Sequence, residues 1–174
     1  MVKDATRRAK RIRLALFDVD GVLTDGRLYF GPAGESMKVF HILDGHGIRM
    51  LQSAGVATGI LSGRKSPAVA ARAQELGMGH VILGAEDKLA EYERLRKKLA
   101  LNDAQCAFVG DDLPDLPVML ACGFAVAVAN AVPEVKAAAH FVTAASGGAG
   151  AAREFCELVL RAQGKFALAA GGGT

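Results

Sequence analysis

A chain of 174 residues, 51% apolar and 22% charged, can bury the core of one domain and reads as a soluble globular protein. A net charge of +3 is too weak for a nucleic-acid or membrane surface, and much of the excess lies in a basic start, Lys3 to Arg13, expected to be a solvated, partly helical lead-in. No apolar run approaches the ~20 residues that cross a bilayer, and the basic start leads into a strand and an acidic turn instead of a secretory signal, so the expected location is cytoplasmic.

The first predicted strand, Arg13–Asp18, climbs through Leu-Ala-Leu-Phe and delivers Asp18 and Asp20 into a turn at Gly21. Carboxylates at the end of a buried strand are poorly solvated and repel each other. A hard cation between them offsets that charge, and magnesium takes oxygen ligands. The same turn makes one aspartate a candidate nucleophile toward phosphorus. The alternative is a solvated acidic turn, since Asp and Gly favour turns anyway.

Next comes a predicted β-hairpin over 26–41, turning at Gly31-Pro-Ala-Gly34. It carries Leu28, Tyr29, Phe30, Val39 and Phe40, too apolar to stay uncovered, so a lid or a subunit contact is expected.

Helices and strands then alternate. Predicted helices are Gly45–Ala54, Pro67–Leu76, Asp87–Leu101, Leu113–Ala121, Pro133–Ala138 and Ala149–Arg161. Predicted strands are Val56–Ser62, His80–Leu83, Ala107–Gly110, Phe124–Ala129 and His140–Val142. A flexible Gly-rich tail is expected over 164–174. Strict alternation gives an α/β fold, a Rossmann-like three-layer sandwich with a mostly parallel central sheet, as a single domain over 1–174. Cys106, Cys122 and Cys156 form no CxxC and read as reduced core residues of a cytosolic protein, and the spacing of His41, His46, His80 and His140 is not that of a zinc site.

Parallel sheets bind ligands outside the carboxyl ends of their strands. Besides Asp18 and Asp20, that end receives Ser62-Gly63-Arg64-Lys65, whose hydroxyl, glycine and cations before a helix suit an anion. It receives Lys88, a point charge for a phosphate or an ordinary surface lysine. It also receives Asp111, Asp112 and Asp115, three acids in five residues that ask for a cation or cap a helix. Together these make a phosphoryl-transfer site. Carboxylates hold the metal, Ser62, Gly63 and Lys88 hold phosphate oxygens, and one aspartate attacks. Removing Lys88 is expected to damage phosphate handling without unfolding the domain.

The set Asp18-Val-Asp20-Gly21, Ser62-Gly63, Lys88 and Gly110-Asp111-Asp112 resembles the four motifs of the haloacid dehalogenase-like superfamily. DVDGVLTDG, GE-x-x-K-x-F, DG-x-GI, SGR-x-S, GDD-x-x-D and the Gly147 to Glu154 run are similar to its capless branch, the 3-deoxy-D-manno-octulosonate 8-phosphate phosphatases. The resemblance implies no large cap domain and a magnesium-dependent phosphatase that works through an aspartyl-phosphate. Asp18 would be the nucleophile. Asp20 would act as acid and then base, with a pKa brought nearer neutrality by desolvation. Asp18, Asp111 and the backbone carbonyl of Asp20 would ligate Mg2+, supported by Asp112 or Asp115. Ser62 and Lys88 would hold the phosphoryl group. The sugar acid would meet Asp20, His41, Ile42, Leu43, Asp44, Gly45, Arg49 and Lys88, with Arg64 and Arg72 at anion-binding positions. The resemblance further implies a homotetramer whose hairpins form a central barrel, with neighbours helping to close each site, and a role in lipopolysaccharide sugar synthesis without nucleic-acid or membrane partners. Two alternatives stay open: a phosphatase of a nine-carbon sugar-acid 9-phosphate, and a non-catalytic oligomerisation module.

Overall fold

Leu14, Ala15, Leu16 and Phe17 are all inaccessible to solvent. A strand buried on both faces must be covered on both sides, which is the condition for a parallel sheet between two helical layers. The computed structural model describes residues 2–171. The chain begins with α1 (Val2–Ala9) and β1 (Leu14–Phe17), then an antiparallel hairpin of β2 (Tyr29–Gly31) and β3 (Gly34–Met37). It continues through α2 (Ile42–Ser53), β4 (Ala57–Ser62), α3 (Pro67–Glu75), β5 (His80–Leu83) and α4 (Lys88–Lys98). The second half holds β6 (Cys106–Gly110), α5 (Leu116–Ala121), β7 (Phe124–Ala127), α6 (Pro133–Ala138), β8 (Phe141–Val142), α7 (Ala151–Ala162) and α8 (Phe166–Gly171). The main sheet has six parallel strands in the order β5-β4-β1-β6-β7-β8.

Helices α1, α2, α7 and α8 pack together on one face, while α4, α5 and α6 adjoin one another on the other. Phe155 of α7 meets Phe17 of β1 edge-on, ring centroids 5.6 Å apart, and Phe124 of β7 at 6.1 Å. These aromatic contacts fix α7 across the sheet centre. The basic lead-in is helical: α1 buries Ala5 and Ala9, and Arg8 donates to the Gly123 carbonyl at 2.7 Å. Cys106, Cys122 and Cys156 are free and buried. Among the described residues no helix is long and apolar enough to cross a membrane.

Three local expectations need correction. Helix α2 starts at Ile42 instead of Gly45, because His41 caps it, Nδ1 accepting from the Leu43 amide at 3.2 Å. The predicted helix over Leu113–Ala121 is a 3-10 turn, Leu113–Asp115, followed by α5, the turn being closed by Asp112 and Asp115. The expected flexible tail is helical over Phe166–Gly171. There Arg161 lies over the Phe166 ring at 3.6 Å and Lys165 donates to the Ala54 carbonyl at 2.7 Å. The last part of that expectation, Gly172 to Thr174, lies outside the described residues.

Candidate active site

From β1 the chain crosses to β4 and β5 on one side and returns to β6, β7 and β8 on the other, so a crevice opens where the order reverses. The β1–β6 ladder continues one residue past β1: the Asp18 amide donates to the Val109 carbonyl at 3.0 Å. Beyond it the turn closes on itself, the Leu23 and Thr24 amides both returning to the Val19 carbonyl. Gly21 sits in this turn at φ +94°, and a Cβ there would lie 2.0 Å from Asp111 Oδ2. Only glycine satisfies that backbone and leaves room for the carboxylate arriving from β6.

Lys88, at the start of α4, reaches into the crevice and donates to Asp18 Oδ1 at 2.8 Å and Asp115 Oδ1 at 2.7 Å. The other oxygen of Asp115 accepts the amides of Asp111 at 2.9 Å and Asp112 at 3.4 Å, so this carboxylate shapes the loop that carries them. Carboxylate oxygens of Asp18, Asp111 and Asp115 all lie within 4.8 Å of one another. They face a cleft of about 220 Å³, also lined by Asp20, Ser62, Gly63, Arg64, Lys88, Asp112 and Pro114. Ser62, at the end of β4, is buried and accepts the Arg64 amide at 3.3 Å.

Charge is crowded here. Burial, and then the neighbouring Asp115, push the Asp18 carboxyl up to about 6 against the pull of Lys88. Burial, then Asp18, Asp115 and Asp112, push Asp111 up to about 8. Burial works against the Lys88 ammonium, but Asp18 and Asp115 outweigh it and hold its pKa above the ordinary lysine value. Asp111 Oδ1 is buried without a hydrogen-bond partner. An orphaned carboxylate oxygen beside two other acids fits a hard divalent cation, which takes oxygen ligands and inverts the local preference for protonation.

The sign of the resulting pH dependence is fixed. Asp18 and Asp111 lie above their unfolded value of 3.8, so the folded protein binds more protons than the unfolded chain. Their contribution to the stability of the metal-free protein is therefore fully present below the unfolded value and is lost as pH rises through about 6 and about 8. In chelator, the thermal midpoint is expected to drop between about pH 4 and about pH 8, and the increment on adding magnesium to grow over that range. A flat midpoint in chelator would show that these acids carry no such strain.

Asp20 is ion-paired, where desolvation was the expected influence. Lys38 pairs with its Oδ1, and Arg64 Nε lies 3.5 Å from its Oδ2. Glu35 of the hairpin joins them, accepting from Arg64 at 2.9 Å and the Ser66 hydroxyl at 2.9 Å, with Lys38 at 3.3 Å. Glu35 and Lys38 were not among the expected site residues. Both belong to the GE-x-x-K run, whose motif was the available signal, although nothing in it shows that the lysine side chain is buried.

The other expected substrate contacts lie outside this cleft. His41, Asp44, Gly45 and Arg72 line a neighbouring, mostly apolar pocket of only about 10 Å³ with Leu23, Phe40 and Ile48. Asp44 is buried and accepts the amides of Gly150 at 3.3 Å and Arg153 at 2.8 Å, capping α7. Arg72 pairs with Glu75 at 2.7 Å and stands over the Phe40 ring at 6.0 Å. Arg49 donates to the Glu75 carbonyl at 2.7 Å, while Ile42 and Leu43 are exposed.

Comparison with known proteins bears on this geometry. Residues 85–155 match the haloacid dehalogenase-like hydrolase family. The chain is 45% identical over 168 residues to the 3-deoxy-D-manno-octulosonate 8-phosphate phosphatase of Yersinia pestis, covering 97% of this chain and 90% of that protein. It superposes with a TM-score of 0.95 on a probable yrbi family phosphatase from Pseudomonas syringae, at 54% identity over 97% of this chain and 96% of that one. It superposes with a TM-score of 0.94, at 40% identity over 97% of each chain, on the 3-deoxy-D-manno-octulosonate 8-phosphate phosphatase of Moraxella catarrhalis, solved with magnesium, phosphate and KDO.

Proposed function

The chain belongs to the 3-deoxy-D-manno-octulosonate 8-phosphate phosphatases of the haloacid dehalogenase-like hydrolases, and from that membership we propose that it hydrolyses 3-deoxy-D-manno-octulosonate 8-phosphate to the free sugar acid and phosphate, using Mg2+, in lipopolysaccharide sugar synthesis. The observation that carries the proposal is the close trio of Asp18, Asp111 and Asp115, two of them paired with Lys88, with Ser62 and Asp20 on the same cleft.

Asp18 attacks phosphorus through a carboxylate oxygen. The bond between phosphorus and the sugar oxygen breaks, and Asp20 gives its proton to that oxygen. Asp20 then takes a proton from water, which attacks the aspartyl-phosphate and restores Asp18. Asp18 and Asp111, with the backbone carbonyl of Asp20, would hold the magnesium ion, which when bound supplies positive charge that neutralises the acids and polarises the phosphoryl group. Asp115 is engaged by two amides and Lys88, which supports a loop-shaping role for it, with Asp112 beside it. Lys88, Ser62 and Gly63 would bind phosphoryl oxygens. Arg64, on the cleft, suits the sugar-acid carboxylate, since its planar donors match two oxygens. His41 to Gly45, Arg49 and Arg72 lie beyond it and would be reached by the sugar end. The exposed Leu28, Phe30, Met37 and Val39 of the hairpin support assembly through this element as a homotetramer, and three buried free thiols support a reducing, cytoplasmic setting.

The test is phosphate release, with magnesium, from the octulosonate 8-phosphate and from a nine-carbon sugar-acid 9-phosphate. The eight-carbon substrate is expected to show a kcat/KM at least about tenfold higher, the scale that one extra carbon sets in a fitted pocket. Turnover confined to the nine-carbon compound would overturn the substrate assignment. Inertness toward both would favour an oligomerisation module.

A further inference from the structure

The hairpin reaches the edge of the crevice through one buried side chain. Lys38 follows β3, and its side chain is 1% exposed. An ammonium removed from water is costly unless opposite charges replace its hydration. Those of Lys38 are Asp20 Oδ1 and Glu35 Oε2. Glu35 in turn is held by Arg64, which follows β4, and by Ser66, the residue preceding α3. Lys38 is not among the residues lining the cleft, and its partners are the Asp20 and Glu35 carboxylates. Asp20 thus has a cation beside each carboxylate oxygen, Lys38 on Oδ1 and Arg64 on Oδ2. A short side chain in a turn would otherwise rotate freely.

We propose that Lys38 is a positioning residue for Asp20: anchored by Glu35, it fixes the orientation of the carboxylate that exchanges a proton with the sugar oxygen and with water. This rests on the acid–base reading of Asp20 given above. It makes the hairpin a working part of the same subunit's site. A proton-transfer group displaced by about 1 Å loses on the order of 100-fold in rate, which sets the effect to look for.

The experiment compares two substrates with opposite needs. The octulosonate leaving oxygen must be protonated, whereas p-nitrophenolate leaves without a proton. Lys38→Met is expected to lower kcat on the octulosonate 8-phosphate about 10- to 100-fold with KM within about threefold. By rapid mixing, its first burst of p-nitrophenolate should stay within about threefold of wild type, followed by a slowed steady state. Lys38→Arg should recover at least about tenfold of the lost kcat. Equal loss in burst and sugar-phosphate turnover, a raised KM with unchanged kcat, or wild-type kcat would each overturn the proposal. Should Lys38→Met fail to fold, Glu35→Gln carries the test: it loosens Lys38 and is expected to show the same pattern at about 3- to 10-fold, and a wild-type kcat would overturn the proposal. Asp20→Asn separates the two layers. If it turns over the sugar phosphate at wild-type speed, the acid–base reading falls and the inference with it. If it is inactive while Lys38→Met is unimpaired, only the inference falls.

Discussion

Asp18→Asn should lower steady-state phosphate release by about 10⁴-fold or more, the scale seen when a nucleophile is removed, without unfolding the protein. An amide has no anionic oxygen to offer phosphorus, so no aspartyl-phosphate should be trapped on acid quench. The fold should tolerate the change. Asp18 is one of three close acids, and neutralising it relieves the repulsion it exerts on Asp111. Lys88 keeps its bond to Asp115 at 2.7 Å. The thermal midpoint of the metal-free variant is therefore expected to match or exceed that of wild type. More than about 1% residual turnover would mean that another group attacks phosphorus.

The second large effect is expected at Lys88. From the sequence its loss should disturb phosphate handling alone, but its position makes it structural as well. The side chain is 9% exposed and bridges Asp18 and Asp115, themselves 10% and 1% exposed. Removing one partner of a buried ion pair leaves an uncompensated charge and is destabilising by about 3–5 kcal/mol, a large part of the ~5–15 kcal/mol that holds a domain together. Lys88→Ala should accordingly show a lowered urea midpoint in chelator and a substantial recovery with magnesium, which replaces the missing positive charge. Turnover should stay depressed by about 10²–10³-fold even with the metal, because a phosphate-binding charge is gone. An unchanged urea midpoint in chelator would show that the acids are satisfied without the lysine.

The alternation of apolar runs and amphipathic stretches was enough to read the parallel sheet, because strands covered on both faces leave an unmistakable signal in segments such as FAVAVA. The acids followed directly, since the carboxyl ends of those strands were known once the strands were. What escaped were contacts between segments remote in sequence. The helix predicted from Gly45 misses its first turn, because the cap that starts it is a His41 ring nitrogen and not one of the usual capping side chains. In the fold, Gly47 lies where α2 crosses α7, and a Cβ there would come 3.1 Å from the Arg153 backbone. Asp44 reads as a free carboxylate beside a substrate, yet it caps a helix more than a hundred residues away. The Lys38–Asp20 pair depends on how the hairpin folds back over the turn, and no local pattern encodes that fold-back. The tail helix was obscured by glycines, while Arg161 stacked on Phe166 holds its first turn.

The position of β1 has a consequence for how activity arises during synthesis. It is made first but lies in the middle of the sheet, between a strand that ends at Ser62 and one that ends at Gly110. Until the latter has emerged, one edge of β1 has no neighbour, and the acids that must gather around Asp18 do not yet exist. No amino-terminal fragment ending before Asp115 contains the whole trio, so turnover is expected only once the sheet's centre is complete.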